Sequence, residues 1–466
     1  MRKFRIEKDS LGEIEVRQDA LYGAQTQRAT NNFPITNQKV HKLLIQNIAV
    51  VKKAAALANM KCNVLDTTIG DYIILACDEV IAGLLDEHFI TDIIQGGAGT
   101  SFHMNVNEVI ANRAAELAGK PVGQYDYIHP NDHVNYGQST NDVVPTAARI
   151  TSMILVGKLI EQLNLLQQAL ISKSQEFGTT IKLGRTHLQD ALPIPMQQVF
   201  NAYASNIERN MTYIKQSFQH LAIVNIGGTA IGTKVNTKEE FLDYIMEFLK
   251  EITHLDLVLS EDLIDATCNV DPFVLASSSL KTLSVSLNKM CNDLRLMASG
   301  PKGGLMEITI PEQQAGSSIM PGKVNPVILE VVNQVCFQVM GNDLIVSQAA
   351  QAGQFELNVF GPILYHNLFE ALEILTQACF TLRVNCLMDL KVNQQHCQKL
   401  VDQSLTAATF LSPYLGYETA SKIAKEALET NTTIKELVLK YKLMDKQALE
   451  EVLNVENIGN YQDIEE

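Results

Sequence analysis

Residues 314–326 bring several chemically useful side chains into one short polar stretch, among them Ser317, Lys323 and Asn325. A hydroxyl, an ammonium and an amide can all bind a carboxylate. Two glycines in the stretch permit backbone angles that other residues avoid, and its prolines restrict the chain. Such a loop could gather donors around an anionic substrate. The alternative is an ordinary surface loop that ends where Asn325 caps a helix with Pro326 at its first position.

Three further polar segments contain small hydroxyl residues next to helical patterns. They are residues 95–101 with Thr100, residues 133–142 with Ser139, Thr140 and Asn141, and residues 183–191 with Thr186 and His187. Helix N-termini supply N–H donors and partial positive charge, which favours carboxylate binding. Each segment alone is ambiguous, because hydroxyls can be simple helix caps and a lone histidine is usually structural. The glycines at 96, 97 and 99 lack the spacing of a dinucleotide fingerprint.

Long helices must position these segments. Apolar residues recur every three or four positions in three stretches, and two more helical patterns begin at Val327 and Leu364. The three stripes are Leu159, Leu163, Leu166 and Leu170; Phe200, Tyr203, Ile207, Met211, Ile214, Phe218 and Leu221; and Leu280, Leu283, Leu287, Met290, Leu294 and Met297. Five long helices of this kind predict a mainly α-helical protein with a central bundle.

The chain divides into three predicted parts. A mixed, mostly helical domain covers residues 1–140, the five-helix bundle covers 141–392 and carries the loop at 312–326, and a small helical domain covers 393–466. Residues Met153–Val156 are apolar on every face. One protomer has too few helices to enclose them, so we expect subunits to share a helical core in a homotetramer.

Residues 314–326 resemble the signature loop of the aspartase/fumarase superfamily, whose members release fumarate by eliminating ammonia, water or an amine. The resemblance extends from Tyr22–Arg28 to the C-terminal region. It implies elimination of ammonia from a dicarboxylate, L-aspartate, with fumarate as product. We expect neither a cofactor nor a metal.

The resemblance also implies roles for residues at matching positions. Ser317 matches the general base, which takes a proton from the carbon beside the side-chain carboxylate and leaves a doubly charged aci-carboxylate. A serine can do this only if the loop stabilises its alkoxide. Glu330 matches a carboxylate paired with His187, which would fix the tautomer of the histidine.

Substrate-binding roles are implied for a second set. Lys323 and Asn325 match the positions that hold one carboxylate. The hydroxyl and amide donors for the other carboxylate and the amino group are Thr100, Ser139, Thr140, Asn141 and Thr186, with His187 beside them.

Three activities stay open. Gly96–Ser101, Gln138–Asp142 and Lys323–Val327 favour an aspartate ammonia-lyase over a fumarate hydratase, whereas Gly322 is as common among fumarases. A non-catalytic relative, such as a lens crystallin, is the third alternative. His103 stands where asparagine is usual, and Met196–Phe200 departs from the family pattern, which affects substrate orientation rather than fold.

Composition argues against several other classes of protein. The net charge of −15 disfavours a nucleic-acid partner. Neither an apolar N-terminal run nor an uninterrupted 18-residue apolar stretch is present, so we expect a cytoplasmic protein with no membrane partner. The eight cysteines form no Cys-x-x-Cys pair. Cys291, Cys336 and Cys379 fall in apolar helical patterns, as reduced core thiols do.

Overall fold

The computed structural model describes residues 3–316 and 318–453, and this part of the chain is mainly helical, as predicted. The helices are α1 (Ala24–Asn32), α2 (Lys42–Lys61), α3 (Thr67–Ile81), α4 (Thr100–Leu117), α5 (Thr140–Phe177), α6 (Met196–Phe218), α7 (Glu239–Thr253), α8 (Leu263–Cys268), α9 (Asp271–Met297), α10 (Val327–Gln351), α11 (Gly361–Leu382), α12 (Gln394–Gln403), α13 (Ala407–Leu415), α14 (Tyr417–Thr430), α15 (Ile434–Lys440) and α16 (Lys446–Val452).

The strands are short and pair two by two. They are β1 (Phe4–Asp9), β2 (Gly12–Arg17), β3 (Ile181–Thr186), β4 (Gln189–Pro195), β5 (Ile223–Val224), β6 (Val258–Leu259), β7 (Ile308–Thr309) and β8 (Lys391–Val392). The pairs β1–β2, β3–β4 and β7–β8 are antiparallel, and β5–β6 is parallel.

The apolar stripes form the core. Every residue of the three predicted stripes is at most 9% exposed. Burying a Leu, Ile or Phe side chain contributes about 1.5–3 kcal/mol relative to leaving it in water, so such stripes dominate the stability of these helices. The five long helices predicted from the sequence are α5, α6, α9, α10 and α11.

The chain forms two compact units, and their boundaries fall inside the five long helices. Unit 1 contains Met1–Ile160, Thr212–Ser284 and Phe337–Leu375, and unit 2 contains Glu161–Met211, Val285–Cys336 and Thr376–Glu466. The three-part division drawn from the sequence stays a prediction.

Polar and aromatic contacts join the long helices side by side within each unit. In unit 1, the Phe273 and Tyr365 rings lie 5.1 Å apart, which joins α9 to α11. In unit 2, the Tyr203 hydroxyl donates to Asp293 at 2.9 Å, which joins α6 to α9. Asn333 of α10 donates to Asn288 of α9 at 2.7 Å. The helices therefore pack as a bundle, as expected.

A buried carboxylate ties α4 to the N-terminus of α1. Glu108 of α4 accepts hydrogen bonds from the backbone N–H groups of Gly23, Gln25 and Thr26, and from the Thr26 hydroxyl. These donors would otherwise be unpaired at the helix start. The contact holds α4 against the start of α1. The first residue of α4 is Thr100, a predicted substrate-binding residue.

Helix α5 contains a long apolar segment. By length and composition it could cross a membrane, but 61% of its most apolar segment is buried inside the protein, as in a core helix. Met153, Ile154 and Val156 remain partly exposed. The predictions of no membrane partner and of a cytoplasmic location are not tested by this observation.

All eight cysteines are free thiols, which agrees with the sequence analysis. Seven are buried and Cys268 is partly exposed. Burial raises the pKa of the Cys336 and Cys379 thiols to about 12, so both stay protonated. Protonated thiols are poor nucleophiles and poor ligands, and these two act as small apolar core residues.

Candidate active site

The N-terminus of α4 carries Thr100 on a glycine-shaped turn. Gly99 precedes the helix with a φ of +96°, and a Cβ there would approach the Phe102 ring to 2.6 Å. Glycine is therefore required for the turn that presents Thr100. The Thr100 side chain is exposed, and its hydroxyl donates to the Gly97 carbonyl at 2.8 Å.

Two reciprocal side-chain caps start α5. The backbone N–H of Ser139 donates to Asp142 Oδ1 at 2.9 Å, and the backbone N–H of Asn141 donates to Ser139 Oγ at 3.2 Å. The two side chains thus satisfy donors at the helix start reciprocally. Because Ser139 Oγ accepts from the backbone, its hydroxyl hydrogen can point away from the helix and donate to an anion.

The Asn141 amide is oriented by a backbone carbonyl. Its Nδ2 donates to the Ala230 carbonyl at 2.7 Å, while Asn225 Nδ2 donates to the Asn141 carbonyl at 3.0 Å. With its NH₂ group held this way, Asn141 presents Oδ1, an acceptor. An acceptor suits an ammonium group rather than a carboxylate.

Two buried ionisable groups, Lys52 and Asp142, form hydrogen bonds with the segment that leads into α5. Lys52 of α2 is fully buried, and its Nζ donates to Asn135 Oδ1 at 2.6 Å and to Gln138 Oε1 at 3.1 Å. Burial lowers the pKa of Lys52 to about 7. Asp142 is also fully buried, and burial raises its pKa to about 6, against the opposing effects of its backbone donors and of Lys52. Its Oδ2 accepts from the N–H groups of Gly227 and Thr229.

Sequence reasoning assigned no role to Lys52 or Asp142. The Ser-x-x-Asp spacing of Ser139 and Asp142 is a capping-box signal that could have identified Asp142. For Lys52 the signal was its place inside the apolar stretch Ile48–Ala58, where a charge needs a partner.

In unit 2, Thr186 and His187 lie at the tip of the β3–β4 hairpin. Thr186 pairs with Gln189, so the loop contains only His187 and Leu188, with φ values of +55° and +60°. Positive φ at both loop residues is typical of a type I′ turn. Arg185 at the base of the hairpin forms a 2.8 Å ion pair with the buried Glu307. The hairpin is therefore anchored, while its Thr186 and His187 side chains are exposed.

The loop at 314–326 lies in unit 2. Ser317, its predicted base, falls outside the described residues. Gly316 packs so closely against the loop that a Cβ there would overlap the Lys323 carbonyl oxygen. Helix α10 begins at Val327, where the apolar pattern predicted it, and the Pro326 carbonyl accepts the first helical bond, from Glu330. Pro326 rather than Asn325 therefore takes the capping position, one residue later than the alternative interpretation of the loop expected.

Lys323, Asn325 and Glu330 line one cavity of about 870 Å³, together with Arg295. Glu330 Oε1 lies 3.9 Å from a guanidinium nitrogen of Arg295. Among the described residues, Lys323 has no carboxylate partner. The cavity thus offers an exposed, unneutralised ammonium to an anion.

The predicted residues divide between the two units, and in unit 2 the cavity lined by Lys323, Asn325 and Glu330 is not lined by Thr186 or His187. Thr100, Ser139, Thr140 and Asn141 lie in unit 1, and the remaining described residues lie in unit 2. Within one protomer, no ion pair joins the described side chains of His187 and Glu330, so their pairing stays a prediction. In the described part of the chain, no cluster of three or more His, Cys, Asp or Glu side chains could hold a metal ion.

Comparisons with known proteins cover nearly the whole chain. The Lyase family profile matches residues 12–341, and the profile of the fumarase C C-terminus matches residues 408–459. The chain is 49% identical over 450 residues to an aspartate ammonia-lyase of Bacillus sp, with coverage of 97% of this chain and 96% of that protein. It is 46% identical to the aspartate ammonia-lyase of Bacillus subtilis (strain 168), with coverage of 97% and 95%.

Solved structures share the fold. A fumarate lyase:delta crystallin from Brucella melitensis, solved bound to cobalt, is 43% identical with a TM-score of 0.96, over 98% of this chain and 100% of that chain. A class II fumarase from Schistosoma mansoni is 35% identical with a TM-score of 0.93, over 97% of this chain and 98% of that chain.

Proposed function

Because the chain belongs to the Lyase family of the aspartate ammonia-lyases and fumarases, we propose that it is a carbon–nitrogen lyase that converts L-aspartate reversibly to fumarate and ammonia. The observation that carries this proposal is its identity of 46–49% with aspartate ammonia-lyases over nearly the full length of both chains. The acceptor presented by Asn141 also fits a substrate that carries an ammonium group.

The substrate is held by its two carboxylates and its amino group. Lys323 and Asn325 bind one carboxylate, and the exposed Lys323 ammonium supports this role because no described carboxylate lies within ion-pair distance of it. Hydroxyls of Ser139, Thr140 and Thr186 donate to the other carboxylate. The Thr100 hydroxyl joins them by turning its hydrogen from the Gly97 carbonyl to the substrate. Asn141 Oδ1 accepts from the ammonium group.

Proton removal is the difficult step. The Ser317 alkoxide takes the proton from the carbon beside the side-chain carboxylate, and the electron pair of that C–H bond moves into the carboxylate to give the aci-carboxylate. The pair then returns to form the C=C bond of fumarate as the C–N bond breaks on the opposite face and ammonia leaves. The hydroxyl donors act chiefly here, since negative charge on the carboxylate grows as the proton leaves.

His187 and Glu330 assist as a pair. An imidazole fixed by a carboxylate has a defined tautomer and can exchange a proton with its surroundings. Within one chain Glu330 lies near Arg295 rather than His187, so the pairing requires His187 from another chain.

We place these chains in a homotetramer whose active sites combine residues of several protomers. Support comes from large apolar side chains that stay 41–61% exposed on the long helices. They are Leu275, Val285, Leu296, Val331, Phe337, Leu344 and Phe380. Apolar surface on this scale is expected to be covered by association.

Light scattering at assay concentration is expected to give the mass of four 51.6 kDa chains. An active monomer under the same conditions would contradict the shared-site arrangement. Replacing exposed Leu344 by glutamate should weaken association and lower activity in parallel. Replacing exposed Leu428 of α14 in the same way is the control, because it lies on the small C-terminal helices.

The activity is tested by following the ultraviolet absorbance of fumarate formed from L-aspartate and, separately, from L-malate. We expect product from aspartate and little from malate. Faster turnover of malate would favour the fumarate hydratase alternative. No product from either would favour the non-catalytic alternative, which the joint presence of His187, Ser317, Lys323 and Asn325 opposes.

A further inference from the structure

A buried histidine contacts one of the proposed substrate-binding hydroxyls. His103 lies on α4, three residues after Thr100, and is 1% exposed. Its Nδ1 is 2.8 Å from Oγ1 of Thr140, the first residue of α5. Its Nε2 is buried and has no hydrogen-bond partner among the described residues. His103 therefore joins the two helix N-termini that present Thr100 and Thr140.

The imidazole of His103 is neutral. Burial lowers its pKa well below the ordinary histidine value, and the nearby Lys52 ammonium lowers it further. A neutral imidazole has one N–H and one bare nitrogen, so the tautomer decides which atom of the His103–Thr140 contact donates.

The contacts of the second ring nitrogen place the proton on Nδ1. In the described part of the chain Nε2 has no acceptor to receive a hydrogen, and a buried N–H without an acceptor is among the rarest unpaired groups in proteins.

We propose that His103 is a positioning residue: it donates its Nδ1–H to Thr140 Oγ1 and so directs the Thr140 hydroxyl hydrogen toward a substrate carboxylate. With one lone pair of Oγ1 occupied by His103, the hydroxyl hydrogen turns outward. The opposite tautomer would draw that hydrogen inward and present only lone pairs, which repel a carboxylate. Donors linked in this order also polarise one another, so the Thr140 hydroxyl becomes a stronger donor.

This inference rests on the proposed placement of Thr140 in the substrate site, and a double-mutant cycle tests the two separately. Thr140→Val removes the hydroxyl at nearly constant volume. His103→Leu removes the N–H donor, and His103→Asn restores a donor through its side-chain NH₂. We expect His103→Leu to raise KM for L-aspartate about tenfold, the lower end expected for losing a hydrogen bond to a charged group.

The coupling is the decisive measurement. In the Thr140→Val background, His103→Leu should leave KM unchanged, because the hydroxyl it directs is gone. His103→Asn should keep KM within about threefold of wild type, by restoring the donor. Independent, additive effects of the two substitutions would overturn the positioning role while leaving Thr140 in the site. An unchanged KM in Thr140→Val alone would overturn both the placement of Thr140 in the substrate site and the positioning role of His103.

Two further measurements separate positioning from a structural role. His88→Leu is the matched control: His88 accepts a hydrogen bond from the Leu21 backbone at 3.3 Å, and the other polar contacts of its side chain and carbonyl among the described residues are with Glu87 and Asn105, outside the proposed site. It should lower the melting temperature without changing KM. If His103→Leu does not fold, solid-state ¹⁵N NMR of the histidine-labelled wild type decides, with His103→Asn identifying the signal. A proton on Nδ1 supports the proposal, and a proton on Nε2 overturns it.

Discussion

Replacing Ser317 by alanine is expected to abolish most turnover while leaving folding, assembly and substrate binding intact. The substitution deletes the proposed base and changes the side-chain volume very little. General-base catalysis typically contributes about 10²–10⁴-fold, so kcat should fall by at least that order. Lys323 and Asn325 would still hold one carboxylate, and an unreactive dicarboxylate should therefore bind the variant about as well as wild type.

Ser318 supplies the control. It is the next residue, it is exposed, and it carries the same hydroxyl on the same loop. Ser318→Ala should cost far less activity than Ser317→Ala. If Ser317 only shaped the loop through local hydrogen bonds, both variants would behave alike and lose binding together with rate. Activity near wild type in Ser317→Ala would reject the base assignment.

The helical fold could be predicted from the sequence because the apolar residues of its core recur at regular spacing. Each apolar stripe repeats every three or four residues over about three to six turns, and no other regular structure buries such a pattern. The stripe from Phe200 to Leu221 is buried throughout, as predicted. The start of α10 at Val327 agrees with the apolar pattern. Only its capping residue differs by one position, because a proline after a capping residue fits either of two neighbouring positions.

The candidate site was only partly predictable, because its supporting contacts join residues far apart in sequence. Lys52 reaches Gln138 across 86 positions, and Asp142 reaches Gly227 across 85. Hydroxyl clusters beside helix starts identify where an anion could bind, since that depends on local backbone geometry. They do not identify the direction in which each hydroxyl or amide presents its hydrogen. That depends on tertiary partners such as His103 and Ala230, and only the structure supplied them.

Lys323→Ala should weaken substrate binding more than it slows chemistry. Hydrogen bonds to charged groups contribute about 1.5–3 kcal/mol, which corresponds to a KM about 10- to 100-fold higher for L-aspartate. The fold should be unaffected, because the Lys323 side chain is exposed and makes no ion pair within the described part of the chain. Steady-state kinetics and the melting temperature check the two halves of this expectation.

The expected increase in KM has to be distinguished from the effect of removing any positive charge from a protein of net charge −15. Lys302→Ala is the matched control, since Lys302 is exposed in the same unit but lies outside the lining of the cavity. A long-range effect would act on both variants and shrink with added salt. A direct contact would act on Lys323→Ala alone and persist in salt, because a bound carboxylate displaces the screening solvent. Equal KM values for Lys323→Ala and wild type would remove Lys323 from the substrate site.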